Sequence, residues 1–172
     1  MSNSAQALAD ELKREAGSTR RLLERVPADR LEWQPHPKSM TLGQLAFHLA
    51  NIPGNISRMG RLDGFDASKA NFTPATPPSA EAILPALESS LTEALSFIDG
   101  LDEEAASAPW RLSVGEREVF TIPRHEVVRT LMLNHWYHHR GQLGVYLRLL
   151  DVPVPAVYGR SADENPFAEA AA

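Results

Sequence analysis

The sequence of 172 residues contains no cysteine. Disulfide bonds, cysteine nucleophiles, thiolate zinc sites and iron–sulfur clusters are therefore excluded, and the composition fits a reducing compartment. The sequence also lacks the run of about 18 apolar residues that a membrane-spanning helix needs. Its first residues have neither the basic nor the apolar region of a secretory signal, so we expect a cytoplasmic protein with no membrane partner.

Positive charge is in deficit, with 17 Lys and Arg residues against 22 Asp and Glu residues and a net charge of −5. Proteins held to nucleic acid by phosphate contacts carry a basic surplus, so we expect no nucleic-acid partner. Hydrophobic residues make up 43% of the chain and charged residues 23%, as in ordinary globular proteins. The length predicts a single domain over residues 1–172.

Four amphipathic segments predict four long helices. In each segment, apolar residues recur at steps of three and four, and polar residues occupy the other face. Pro27 ends the first helix, because proline has no amide hydrogen to continue the hydrogen-bond ladder. Thr41 and Gln44 have the spacing of a capping box at the start of the second helix. The predicted helices span about residues 4–26, 41–59, 79–99 and 124–150.

The segments that connect these helices differ in character. Residues 60–78 are rich in Gly, Pro, Asp and Ser and predict a long crossing loop between helices two and three. Residues 109–121 alternate weakly around Gly115 and predict a short hairpin before helix four. Residues 151–172 show no periodicity and predict an irregular C-terminal tail. The predicted fold class is all-α, a four-helix bundle with these connections.

Three of the six histidines lie on faces that should be interior. His135 and His139 are four residues apart, which places them about 40° apart on one face of the most apolar helix. His48 lies in the middle of helix two, and Asn51 and Asn55 share its side of that helix. Interior imidazoles cost free energy unless a partner satisfies them.

A divalent metal ion would satisfy all three imidazoles at once. Two ligands on successive turns of one helix and a third from a facing helix form a tripod of neutral nitrogens, which suits zinc or nickel. Such a tripod leaves coordination positions open, as catalytic sites do. Spacing alone leaves two alternatives: histidines that are hydrogen-bonded within an ordinary core, and His138, about 60° from His135, in place of His139.

Two segments resemble a known family. NHWYHHRGQLGVYLRLLDVPVPAVYGRSADE resembles the C-terminal signature of the DinB-like (YfiT-like) superfamily of four-helix-bundle metalloproteins, and PHPKSMTLGQLAFHLANI resembles the segment that carries its first histidine. HxxxHRGQ paired with an upstream LxxHL is a specific combination, and the resemblance covers essentially the whole chain. It implies that His48, His135 and His139 bind one divalent metal, which selects His139 over His138. It also implies a homodimer.

The resemblance and the histidines together predict a divalent-metal-binding protein of the thiol S-transferase type, acting on small electrophiles. Relatives of this type use bacillithiol or mycothiol, and others are described as metal-dependent hydrolases. Because the chain has no cysteine, a low-molecular-weight thiol would be supplied as a cosubstrate. The alternatives are a metal-dependent hydrolase and a non-enzymatic dimeric bundle that binds a metal or a small molecule. No residue stands out as a catalytic acid or base.

Two further expectations concern surfaces. Helix four is apolar over more of its circumference than one bundle seam needs, which independently predicts a homodimer. The loop 60–78 and the tail segment 151–167 are expected to shape the mouth of a substrate pocket. The apolar residues of helix four are Val128, Leu131, Met132, Trp136, Leu143, Val145, Leu147 and Leu150.

Overall fold

The computed structural model of the chain describes residues 1–168, so residues 169–172 of the predicted tail lie outside the described residues. The described part of the chain contains five helices, three strands and three short 3₁₀ helices. The helices are α1 (Asn3–Leu23), α2 (Leu42–Gly60), α3 (Ile83–Asp99), α4 (Glu103–Ser107) and α5 (residues 124–149). The strands are β1 (Gly64–Asp66), β2 (Pro109–Val114) and β3 (Arg117–Pro123).

The prediction of an all-α four-helix bundle is wrong, because the chain also forms a small mixed sheet and a fifth helix. Strand β1 pairs in parallel with β2, and β2 pairs antiparallel with β3. The hairpin predicted at 109–121 is present as β2 and β3, which turn at Gly115 with a φ of 60°. Strand β1 lies inside the predicted crossing loop and is fixed by non-local pairing, such as Phe65 with Leu112.

The four long helices pack around one apolar core. Helix α2 packs against α3 and α5, and α1 packs against the same two helices. The predicted capping box at the start of α2 is confirmed, since Thr41 accepts from the Gln44 amide and the Gln44 side chain accepts from the Thr41 amide. The Trp136 indole is fully buried and donates to the Leu49 carbonyl oxygen at 3.0 Å, which ties α5 to α2.

Helix α5 is not uniform along its length. It begins with a short α-helical turn at Arg124–Glu126, continues as a π-helix over Val127–Asn134, and becomes a regular α-helix from His135 to Leu149. Long π-helical segments are rare and occur often at functional sites. His135 and His139 lie at the start of the regular segment, where their four-residue spacing places both on one face of the helix.

The apolar surplus predicted for helix four is largely used within the chain. Five of its eight residues are fully buried, whereas Val145 is 59% exposed. The buried members are Val128, Met132, Trp136, Leu143 and Leu147. The homodimer stays a prediction, and it now depends on a much smaller exposed surface.

Within residues 1–168, none of the helices has the combined length and apolar character needed to cross a lipid bilayer.

Candidate metal centre

Packing of α2 against α5 brings three imidazoles together. His48 comes from the middle of α2, and His135 and His139 come from successive turns of α5. The Nε2 atom of His135 lies 3.3 Å from that of His48 and 2.8 Å from that of His139. Each of the three rings offers a nitrogen within 4.8 Å of the nitrogens of the other two, so the set could hold a metal ion.

These separations fit ligands of a common ion. Nitrogens bound at about 2.0–2.1 Å lie about 3.3 Å apart at tetrahedral angles and about 2.9 Å apart at right angles. The two measured Nε2 separations, 3.3 Å and 2.8 Å, fall close to these values. The donor set of three neutral imidazoles is one that zinc and nickel both accept.

Gln142 fixes the orientation and tautomer of one imidazole. The His139 Nδ1 atom lies 2.9 Å from the Gln142 Oε1 atom, and the Gln142 Nε2 atom lies 3.5 Å from the Tyr146 hydroxyl. Because an amide oxygen can only accept, Nδ1 must carry the hydrogen, and the lone pair of His139 is left on Nε2. That lone pair faces the other two rings. An outer hydrogen bond of this kind is typical of metal-binding histidines.

Burial keeps all three rings uncharged. Desolvation, followed by the nearby His139 ring, lowers the pKa of His48 to about 4. Desolvation and the neighbouring imidazoles lower the pKa of His135 to about 4 as well. Burial lowers the pKa of His139, and its hydrogen bond to Gln142 opposes this shift. At neutral pH the cluster therefore presents neutral nitrogens, the form that binds metals.

The other three histidines lie outside this cluster. His138 is exposed, and although its ring centroid lies 4.7 Å from that of His139, it offers no nitrogen to the converging set. The Nδ1 atom of His36 accepts from the Lys38 amide, and that of His125 lies 2.9 Å from the Ala106 carbonyl oxygen. The structure thus brings together nitrogens of His48, His135 and His139, and His138 is a neighbour that is not part of this set.

The chain matches the family model of the DinB family over residues 1–167. It belongs to the DinB family. The resemblance noted in the sequence is thereby confirmed. A comparison with curated proteins found no match.

Solved structures of DinB-like proteins share this fold. One from Bacillus cereus ATCC 10987 has 23% identity and a TM-score of 0.67, with 89% of this chain and 97% of that chain covered. One from Bacillus subtilis has 15% identity and a TM-score of 0.67, with 90% of this chain and 99% of that chain covered. A protein from Exiguobacterium sibiricum, described as a member of the DinB family, has 21% identity and a TM-score of 0.67, with 91% of this chain and 97% of that chain covered. At these identities the likeness concerns the fold alone.

In this DinB family protein, two of the three clustered histidines line a cavity of about 740 Å³. His48 and His135 line it together with Asn51 and Asn55, so the polar side predicted for helix two does face a site. The loop predicted to shape the mouth also contributes, through residues 70–75. A second cavity of about 230 Å³ shares His135 with the first.

The C-terminal tail does not have the predicted place at the pocket mouth. Among the described residues, none from 151–168 lines either of the two cavities that reach His135. The Tyr158 hydroxyl instead donates to Glu15 on α1 at 2.9 Å and accepts from Arg140, which is 3% exposed. The tail is therefore held against α1 and α5, where it covers a buried arginine.

Two groups of site residues were not found from the sequence. The hydrogen bond between Gln142 and His139 was not predicted, although a spacing of three residues on a helix allows it. The side chains that line the second cavity include Phe65 of β1 and Leu112 of β2. No local pattern in the sequence identifies them, because β1 was not predicted.

Proposed function

We propose that the protein binds one divalent metal ion, zinc or nickel, through His48, His135 and His139, and acts as a thiol S-transferase on small electrophiles. The observation that carries the proposal is the convergence of three neutral imidazoles, two of which line a cavity large enough for a small molecule. An imidazole held for structure alone is usually paired with a carbonyl or carboxylate oxygen. Among the described residues, the hydrogen-bond partners of these Nε2 atoms are the other imidazoles.

A divalent ion bound here would lower the pKa of a thiol or water molecule placed beside the substrate. The chain would supply the tripod, with Gln142 holding the His139 ring in its metal-binding orientation. Asn51 is held at the cavity wall by donation from its amide nitrogen to the Phe47 carbonyl oxygen at 2.8 Å, and it is suited to orient a substrate.

The lining of the cavity favours thiol transfer over hydrolysis. No Asp or Glu side chain lines either cavity in the part of the chain that the structure describes. A thiol that coordinates zinc is deprotonated outright, whereas zinc-bound water has a pKa of about 7 to 9, so water depends more on a neighbouring base. A site that has a metal tripod but no lining carboxylate is thus better suited to a thiol than to water.

The proposed reaction is balanced without any redox partner. The sulfur of a small thiol forms a bond to an electrophilic carbon, and the bond from that carbon to its leaving group breaks. The electron pair of the broken bond stays with the leaving group, and the thiol proton passes to solvent or to that group. The thiol is an external cosubstrate, because the chain has no cysteine.

Metal analysis of protein purified without a histidine tag tests the first part of the proposal. We expect about one zinc or nickel ion per chain in the wild type and a loss of at least tenfold in affinity for His48→Ala. His138→Ala is the matched control, since His138 is exposed and outside the cluster. Equal metal content in His48→Ala and His138→Ala would contradict the proposal.

Turnover of a neutral epoxide, styrene oxide, with 2-mercaptoethanol tests the second part. We expect a rate that requires both the metal and the thiol and that falls to background in His48→Ala. Turnover that consumes water and does not need the thiol would support a hydrolase instead. Metal binding without turnover of a panel of electrophiles would support a non-enzymatic binding protein.

A further inference from the structure

The cavity of about 230 Å³ is an apolar recess that opens onto the candidate metal centre. Both cavities are lined by Ile56, Met59, Phe65, Phe72 and His135, so the recess adjoins the larger cavity. The other lining residues are Ala67, Leu112 of β2, and Thr130 and Leu131 of the π-helical segment. The sheet and the π-helix, which distinguish this chain from a plain helical bundle, supply four of the nine lining residues.

The recess carries almost no polar surface and no charge. Every side chain that lines it is apolar except those of Thr130 and His135. No Lys, Arg, Asp or Glu side chain lines the recess or the larger cavity within residues 1–168. A charged group placed there would lose its hydration without gaining a partner, which is strongly unfavourable.

Phe72 stands at the junction of the two cavities and is 72% exposed. When an apolar ligand covers a large exposed aromatic side chain, the burial of its apolar surface favours binding. An apolar cavity of about 150 Å³ is known to hold benzene, so about 230 Å³ accommodates a bicyclic aromatic or branched alkyl group.

We propose that this recess binds the apolar part of the substrate, and that the substrate is a neutral electrophile carrying an aromatic or branched alkyl group. The assignment of the bound molecule as an electrophile rests on the proposed function. The recess then holds the apolar group while the reacting carbon lies in the larger cavity, beside His48 and His135. Anionic groups are disfavoured in the recess itself, because no Lys or Arg side chain lines it within residues 1–168.

Binding of indole, a neutral aromatic probe, tests the proposal without any measurement of activity. Ala67 lines the recess and is the first residue of the short 3₁₀ helix Ala67–Lys69, so Ala67→Trp would fill it. Ala28 is exposed and is the first residue of another short 3₁₀ helix, Ala28–Arg30, so Ala28→Trp is a matched control. Saturation-transfer NMR titration gives the affinity for indole in each variant.

We expect Ala67→Trp to weaken indole binding at least tenfold and Ala28→Trp to leave it unchanged. Phe72→Ala should weaken indole binding severalfold. Because Phe72 is highly exposed, its removal should not disturb folding, and misfolding would not explain the weaker binding. In metal-free protein, indole-3-acetate should bind at least tenfold more weakly than indole. Failure of the wild type to bind indole, equal affinity in the wild type and a folded Ala67→Trp, or equal affinity for the two probes would each overturn the proposal.

Zinc titration of the same samples separates this proposal from the proposed function. If the Ala67→Trp variant takes up zinc like the wild type but no longer binds indole, the result supports the recess as a substrate subsite. A wild type that binds indole as expected but takes up no zinc would overturn the metal centre and still support an apolar binding site.

Discussion

Replacing Glu11 by glutamine is expected to weaken the contact between α1 and the segment of α5 that carries the histidines. The Glu11 carboxylate accepts a pair of hydrogen bonds from Arg129, one of them at 2.8 Å, and a third from the Tyr137 hydroxyl at 2.8 Å. Arg129 belongs to the π-helical segment, and Tyr137 lies between His135 and His139. The carboxylate thus joins the two helices at the level of the candidate metal centre.

The size of the effect follows from the pKa of this carboxyl group. Its hydrogen bond to Arg129 lowers the pKa of Glu11 from 4.5 to about 2, although burial alone would raise it. At about 1.4 kcal/mol per pKa unit, the full gap corresponds to about 3 kcal/mol of unfolding free energy. Because the side chain is 23% exposed and solvent screens the pair, we expect about 1–2 kcal/mol.

The pH dependence has a definite sign. A carboxyl whose pKa is lower in the folded protein stabilises the fold above its unfolded pKa near 4.5, and this contribution disappears as the pH falls towards 2. Urea unfolding should therefore show the full difference between wild type and Glu11→Gln at pH 7 and a much smaller one near pH 3.

Glu88→Gln is the control for the Glu11 experiment, because Glu88 forms an exposed ion pair with Arg20 and should change stability by less than about 0.5 kcal/mol. Two results would refute the reasoning. One is a Glu11→Gln difference that is the same at pH 7 and pH 3, and the other is no difference between Glu11→Gln and Glu88→Gln at pH 7.

Three further outcomes are expected. Gln142→Leu removes the acceptor for His139 Nδ1 and should weaken zinc affinity about 10- to 100-fold by calorimetry, whereas Gln142→Glu keeps an acceptor and should not. Gly60→Ala should destabilise the protein by about 1–3 kcal/mol in urea, because the new Cβ would lie 2.5 Å from Phe97. A Cβ added at Gly17 would meet no other part of the protein within 4 Å, so Gly17→Ala should instead stabilise the protein by up to about 1 kcal/mol. A Gly17→Ala variant less stable than Gly60→Ala would contradict this packing. Light scattering at micromolar concentration should give the mass of a homodimer, and a monomeric mass would contradict that prediction.

The long helices could be predicted because their apolar spacing is a local property. The predicted bounds of helices two and four fall within one residue of α2 and α5. The first helix ends earlier, at Leu23, and the third begins at Ile83 after a 3₁₀ turn. Strand β1 could not be predicted, because its three residues depend on pairing with a strand far along the chain. The π-helical segment has the same apolar content as an α-helix, so composition does not distinguish it.

The convergence of the three histidines could be foreseen in part. The four-residue spacing of His135 and His139 is enough to place both on one face of a regular helix. Spacing alone could not choose between His138 and His139, because that choice depends on how α5 is rotated against α2. The packed helices bring the His139 ring to 4.7 Å from the His48 ring, measured between centroids, and leave His138 exposed. The apolar recess could not be foreseen at all, since residues from β1, β2 and the π-helix build it.

X-ray absorption at the zinc edge of the zinc-loaded protein tests most directly whether the three imidazoles share one cation. Three imidazole rings with zinc–nitrogen distances of about 2.0–2.1 Å are expected in the wild type and in His138→Ala. In His48→Ala, one ring should be lost from the spectrum. A wild-type spectrum with fewer than three imidazoles, or one that His48→Ala leaves unchanged, would contradict the shared metal centre.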